Sequence, residues 1–147
     1  MPKRDVEQDF PGLIGANYAL SAEDFNINCL AYAMGDPSNW WEPPKGQGQY
    51  WPDGFSEDTS VQTAEEILRS RGYTEEIQIG KVPGGEAIAI YSDGHEWTHF
   101  AKFSDGVWSS KLGDGHDVCG HDLEHLVGHL YGGVRKILAK PQKDKPQ

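Results

Sequence analysis

Apolar runs are short in this 147-residue chain, and none approaches the roughly 20 residues needed to cross a bilayer. The N-terminus has no charged segment followed by an apolar run of the kind that directs export. Basic residues are also few: 13 Lys and Arg stand against 23 Asp and Glu, for a net charge of -10. Nucleic-acid binding relies on clustered cations, so that class of partner is excluded, as is a membrane. Only two cysteines occur, Cys29 and Cys119. Without a signal segment they read as reduced thiols of a cytoplasmic protein, or of one exported by a leaderless route. No cofactor is implied.

The length suits a single domain, one that buries about two-thirds of the surface its unfolded chain would expose. Residues 1–9 are mostly polar and read as a flexible N-terminal segment, 10–139 as the folded domain, and 140–147 (KPQKDKPQ) as a disordered tail. Asn26 and Asn28 are good helix caps before Cys29-Leu30-Ala31-Tyr32-Ala33-Met34, and Gly35 is a helix stop. The stretch 36–55 holds three Trp with several Pro and Gly, the composition of a long irregular loop. Residues 59–71 have the apolar spacing of an amphipathic helix, with Val61, Ala64, Ile67 and Leu68 on one face. Strands are expected at 73–80, 86–91, 99–103, 107–111 and 134–139, with a hairpin around Ser104-Asp105-Gly106 and a helix at 123–130. Helices followed by strands in this order predict an α+β fold with an antiparallel sheet.

One pairing of residue types carries chemistry. Cys29 opens a helix, where unpaired N–H groups stabilise a thiolate, and His99 opens a strand some seventy residues later. A nearby imidazole completes a nucleophile and base pair. Such a pair needs a third polar group to orient the imidazole, and Ser109, Ser110, Asp114 and Asp117 are near enough in sequence. If Phe103 pairs with Val107, Ser109 and Lys111 lie on the face of His99, and a slip of one residue substitutes Ser110. The Cys29 backbone N–H is the expected oxyanion donor, aided by the side-chain amide of Asn28 or Asn26, each of which also serves as a helix cap. His121, His125 and His129 are spaced by four, with His116 nearby, but Gly120 and Gly128 interrupt the helix that would align them, so no metal is expected. Trp40, Trp41, Tyr50, Trp51 and Trp97 allow a third reading, an aromatic groove or a lid over the core.

Taken together, Asn28-Cys29-Leu30-Ala31-Tyr32-Ala33, Trp40-Trp41, Tyr50-Trp51-Pro52, Thr98-His99-Phe100-Ala101, Trp108-Ser109-Ser110-Lys111-Leu112-Gly113 and Tyr131-Gly132 resemble a family of small bacterial domains of unknown function. Tyr32 stands where that family has Trp, and Phe100 fills a variable place. The Cys-then-His order looks like that of papain-like and cell-wall endopeptidase folds. The resemblance implies a papain-like core, with the Cys29 helix packed on a sheet bearing His99. It also implies that Lys111 holds a substrate carboxylate or pairs with Asp114 or Asp117.

The expected function is thiol hydrolysis or acyl transfer on an amide, whether a peptide, a peptidoglycan stem or a side-chain amide. Cys29, His99, Ser110 and Asp114 are the catalytic candidates, Asn28 the oxyanion donor, and Trp40, Trp41, Trp51 and Lys111 the substrate-binding residues. The alternative is a non-catalytic interaction or immunity-type module, in which Cys29 is core and the acidic surface meets a basic partner.

Overall fold

The computed structural model describes residues 2–21, 26–112 and 115–141. Asp114 and most of the 140–147 tail therefore lie outside the described residues. The described residues form α1 (Pro2–Asp9), α2 (Cys29–Met34) and α3 (Val61–Ser70), with β1 (Ala19–Leu20), β2 (Trp40–Trp41), β3 (Gln49–Tyr50), β4 (Glu75–Ile77), β5 (Ala87–Ser92), β6 (Trp97–Ser104), β7 (Val107–Lys111), β8 (Asp117–His121) and β9 (Gly133–Ala139). The fold class is α+β. Seven strands make one antiparallel sheet in the order β1-β8-β7-β6-β5-β9-β4. None of the described helices is long and apolar enough to cross a membrane.

Each face of the sheet is covered, so β5 is apolar on both sides, with Ile88 and Ile90 on one and Ala87, Ala89 and Tyr91 on the other. On the first face lie α2 and α3, whose Leu30, Ala31, Ala33, Ala64, Ile67 and Leu68 pack with Phe100 and Leu138. Trp41 and Trp51, 2% and 1% exposed, complete this core. On the second face Val6 of α1, Phe10, Leu13 and Leu126 pack with Ala101, Phe103, Trp108 and Val118.

α2 begins because the Asn28 side chain accepts from the Ala31 N–H, and it ends at Gly35, whose φ of 75° suits glycine. The helix at 59–71 appears as α3, capped by Ser60. Several boundaries differ from the sequence expectations. Residues 2–9 form a helix, anchored by fully buried Val6. The 123–130 segment makes only a 3-10 turn over Leu123–Leu126, because Val127 is extended and Gly128 lies at φ 159°. The 117–121 segment is a strand paired with β7 and was not expected. In the hairpin, Ser104 pairs with Val107 and Lys102 with Ser109, the register one residue away from Phe103–Val107.

Candidate functional site

The β6–β7 ladder stops at Lys102–Ser109, although β6 begins at Trp97 and β7 runs to Lys111. The two strands splay there. α2 packs across both, and the Tyr32 hydroxyl bonds Ser109 Oγ at 3.0 Å. This places half-buried Cys29 at the opening, with the backbone N–H groups of Phe100, Leu30 and Cys29 itself directed at its sulfur. A cavity of about 210 Å³ lies beside it, lined by Asn28, Trp40, Glu42, Trp97, Lys111 and Tyr131 among others.

The expected activation of the thiol is not what these surroundings produce. Burial pushes the Cys29 thiol up to about 11, outweighing the backbone N–H groups, and the Glu42 carboxylate adds to the rise. The resting sulfur is therefore protonated near neutral pH.

His99 follows the same strand logic to a different place. Successive side chains on a strand alternate faces, so Phe100 joins the α2 side while His99, with its cross-strand partner Tyr91, joins the other. The imidazole is 0% exposed, stacks flat on Tyr131 at 4.1 Å and 6°, and meets Tyr91 edge-on at 5.3 Å. Neither ring nitrogen has a hydrogen-bond partner among the described residues. The expected Cys29–His99 hydrogen bond is thus not made. Burial, with a smaller contribution from repulsion against His121 should both rings take up protons, holds the His99 pKa well below the ordinary value, so the ring is neutral.

Ser110 does not orient His99. Its hydroxyl is 2.8 Å from Nε2 of His121, whose Nδ1 lies 2.9 Å from the Asp122 carbonyl. A carbonyl only accepts, so Nδ1 carries the proton and Nε2 accepts from Ser110. Burial lowers His121 to about 4, which keeps that tautomer neutral. Asp114 lies outside the described residues.

Asn28 serves as the helix cap. Its Oδ1 accepts from Ala31 N–H at 3.2 Å and Trp41 N–H at 3.1 Å, and its Nδ2 donates to the Trp41 carbonyl at 2.7 Å. The side chain is thus committed to capping α2 and tying it to β2. Of the proposed substrate-binding residues, Trp40 and Lys111 line the cavity, whereas Trp41 and Trp51 are buried in the core. Lys111, 3% exposed, forms an ion pair with Asp117 at 2.7 Å and donates to the Gly115 carbonyl at 3.0 Å.

Sequence reasoning missed Glu42, Thr98 and Tyr131 as cavity residues and gave Trp97 only as part of an aromatic groove. Tyr131-Gly132 stood in the recurring pattern, and its role is local. Gly128 and Gly132 exchange backbone hydrogen bonds of 3.0 and 2.7 Å, and a Cβ on Gly132 would meet the Ser92 carbonyl oxygen at 2.1 Å. Only glycine lets this short loop press Tyr131 onto His99. The histidine series is dispersed: His116 Nδ1 lies against the Ser21 carbonyl, His121 is on β8, His125 in the 3-10 turn, and His129 is exposed. Among the described residues there is no group of three or more His, Cys, Asp or Glu placed to hold a metal ion.

No curated protein and no solved structure matches the chain. Residues 18–139, which carry the sheet, α2 and every residue of the cavity, match the model of the domain of unknown function DUF7689, and the chain belongs to that family.

Proposed function

We propose that the cavity at Cys29 is the working site, and that it takes an amide-bearing, peptide-like ligand for thiol hydrolysis or acyl transfer within a papain-like core. The observation that carries this reading is the position of the sulfur. It sits where β6 and β7 part, with three backbone N–H groups directed at it and an aromatic-walled cavity alongside. Donors fixed in that way stabilise a thiolate, or the oxyanion that forms when a thiol adds to a carbonyl. Trp40, Trp97 and Tyr131 supply apolar walls, and Thr98, Glu42 and Lys111 the few polar groups that orient a ligand. In this reading Cys29 attacks the carbonyl carbon, the amine leaves with a proton, and water or a second amine releases the acyl group.

A second reading has its own observation. Burial keeps the thiol protonated, and His99 makes no hydrogen bond to it, as expected of a non-catalytic binding module with Cys29 as a wall residue. Incubation with a mixture of peptide and side-chain amides plus hydroxylamine, followed by mass spectrometry, separates the two. Thiol chemistry gives hydroxamate products that vanish in Cys29→Ser. Ligand retention without product, unchanged in Cys29→Ser, establishes the binding module instead.

A further inference from the structure

Buried polar atoms without partners are costly, and in native proteins each one calls for a reason. His99 has two on a single ring, both enclosed and both without a partner among the described residues. A structural histidine at this site would be better replaced by an aromatic hydrocarbon, since the rings packed on it are those of Tyr91 and Tyr131. The ring is also separated from the Cys29 cavity by one layer. Tyr131 is half-buried, covers the flat face of His99, and itself lines the cavity that Cys29 lines. Thr98, the strand neighbour of His99, lines the same cavity and donates its hydroxyl to the Tyr131 carbonyl.

We propose that Tyr131 is the positioning residue of this site: stacked on His99 it keeps the imidazole out of the cavity, and when a ligand displaces it His99 turns into the β6–β7 opening toward Cys29. This rests on the thiol reading of the cavity. The step it supplies is proton transfer. The thiol proton passes to an imidazole nitrogen, leaving thiolate and imidazolium, and the imidazolium returns the proton to the departing amine. Tyr91 from β5, Tyr131 from the 128–132 loop and His121 from β8 are the titratable groups facing or acting on His99. None is a carboxylate, so nothing among them stabilises an imidazolium while the ring stays covered.

The test follows His99 and Cys29 together. Side-chain nitrogen NMR reads the protonation of His99, and iodoacetamide labelling at neutral pH reads Cys29, with exposed Cys119 as the internal reference. Both are measured in the wild type, Tyr131→Ala and Tyr131→Leu, each with and without His99→Gln. Tyr131→Leu keeps apolar bulk if the alanine variant does not fold. In the wild type His99 is expected to stay neutral at about pH 6, with Cys29 labelling unchanged by His99→Gln. Uncovering the ring should make it titrate close to the ordinary value of about 6.5 and speed Cys29 labelling by about tenfold relative to Cys119. His99→Gln should abolish that gain.

A gain that survives His99→Gln would show that Tyr131 only blocks the reagent, and would overturn the proposal. So would a folded Tyr131 variant whose His99 still fails to titrate, or a wild type whose labelling already falls on His99→Gln. A His99-dependent gain in a protein that turns over no amide would keep the proposal and remove the amide reading. Amide turnover without any such gain would do the reverse.

Discussion

The two faces of the sheet hold their polar side chains differently, although each carries buried polar atoms without a partner among the described residues, Trp97 Nε1 on the α2 face and both ring nitrogens of His99 on the other. On the α2 face, Asn28, Tyr32, Ser109 and Lys111 all have partners, and the cavity opens beside them. On the opposite face, Ser110 and His121 satisfy each other while His99 is sealed under aromatic rings with nothing to bond. Three consecutive residues of β7, Ser109, Ser110 and Lys111, are shared between the two sides by the two-residue period of a strand. Adjacency in a motif is therefore a poor guide to adjacency in a site. What meets at the cavity comes from Trp97 and Thr98 at the start of β6 and Lys111 at the end of β7, plus the helix and loops laid over these parting ends.

The contrast can be broken most forcefully at its core. Trp51→Ala, on the α2 side, removes a ring that is 1% exposed and donates its indole N–H to the Ser56 carbonyl at 2.8 Å. It should cost about 3 to 5 kcal/mol in urea unfolding. Asn28→Ala removes the α2 cap and the tie to Trp41 together, and a loss of about 2 kcal/mol is expected from the same measurement.

Acid should act on the opposite face. His99 and His121 are both depressed by burial, so the folded state stays neutral where the unfolded chain takes up protons. Stability is then full above about pH 6.5 and falls below it by up to about 1.4 kcal/mol per pH unit for each ring. The His121 share stops growing near its folded value of about 4. Urea midpoints at descending pH measure the slope, and His99→Phe should remove its share. The smallest effect is expected at the cavity wall: Trp40→Ala, at a half-exposed position, should change stability by about 0.5 kcal/mol or less while weakening retention of any ligand in the cavity.

The legible parts of this molecule are those governed by local chemistry. Asn28 and Gly35 bracket α2 as cap and stop residues do, α3 follows its apolar stripe, and 107–111 is a strand with the expected limits. Register was not legible, because Ser104-Asp105-Gly106 allows a slip of one residue, and that slip decides whether Ser109 or Ser110 shares a face with His99. The strand 117–121 was hidden by its glycine and by histidines that suggested a helix; only pairing with β7 and β1 defines it. Cys29 was correctly singled out as a helix-opening residue, but its ionisation depends on how deeply the packed helix buries it, which no spacing reports. Tyr131 carried no chemical signal of its own, and its place against His99 comes from a glycine-closed loop far along the chain.

Cys29 rests as a protonated thiol beside the cavity, without a hydrogen bond to His99. Ultraviolet thiolate absorbance against pH, taken on Cys119→Ser with Cys119→Ser/Cys29→Ser subtracted, measures this directly. No Cys29 thiolate is expected at neutral pH, with a single rise centred at about 11. Thiolate already present at about pH 6 to 7, lost on His99→Gln, would mean a standing thiolate–imidazolium pair and would contradict that expectation.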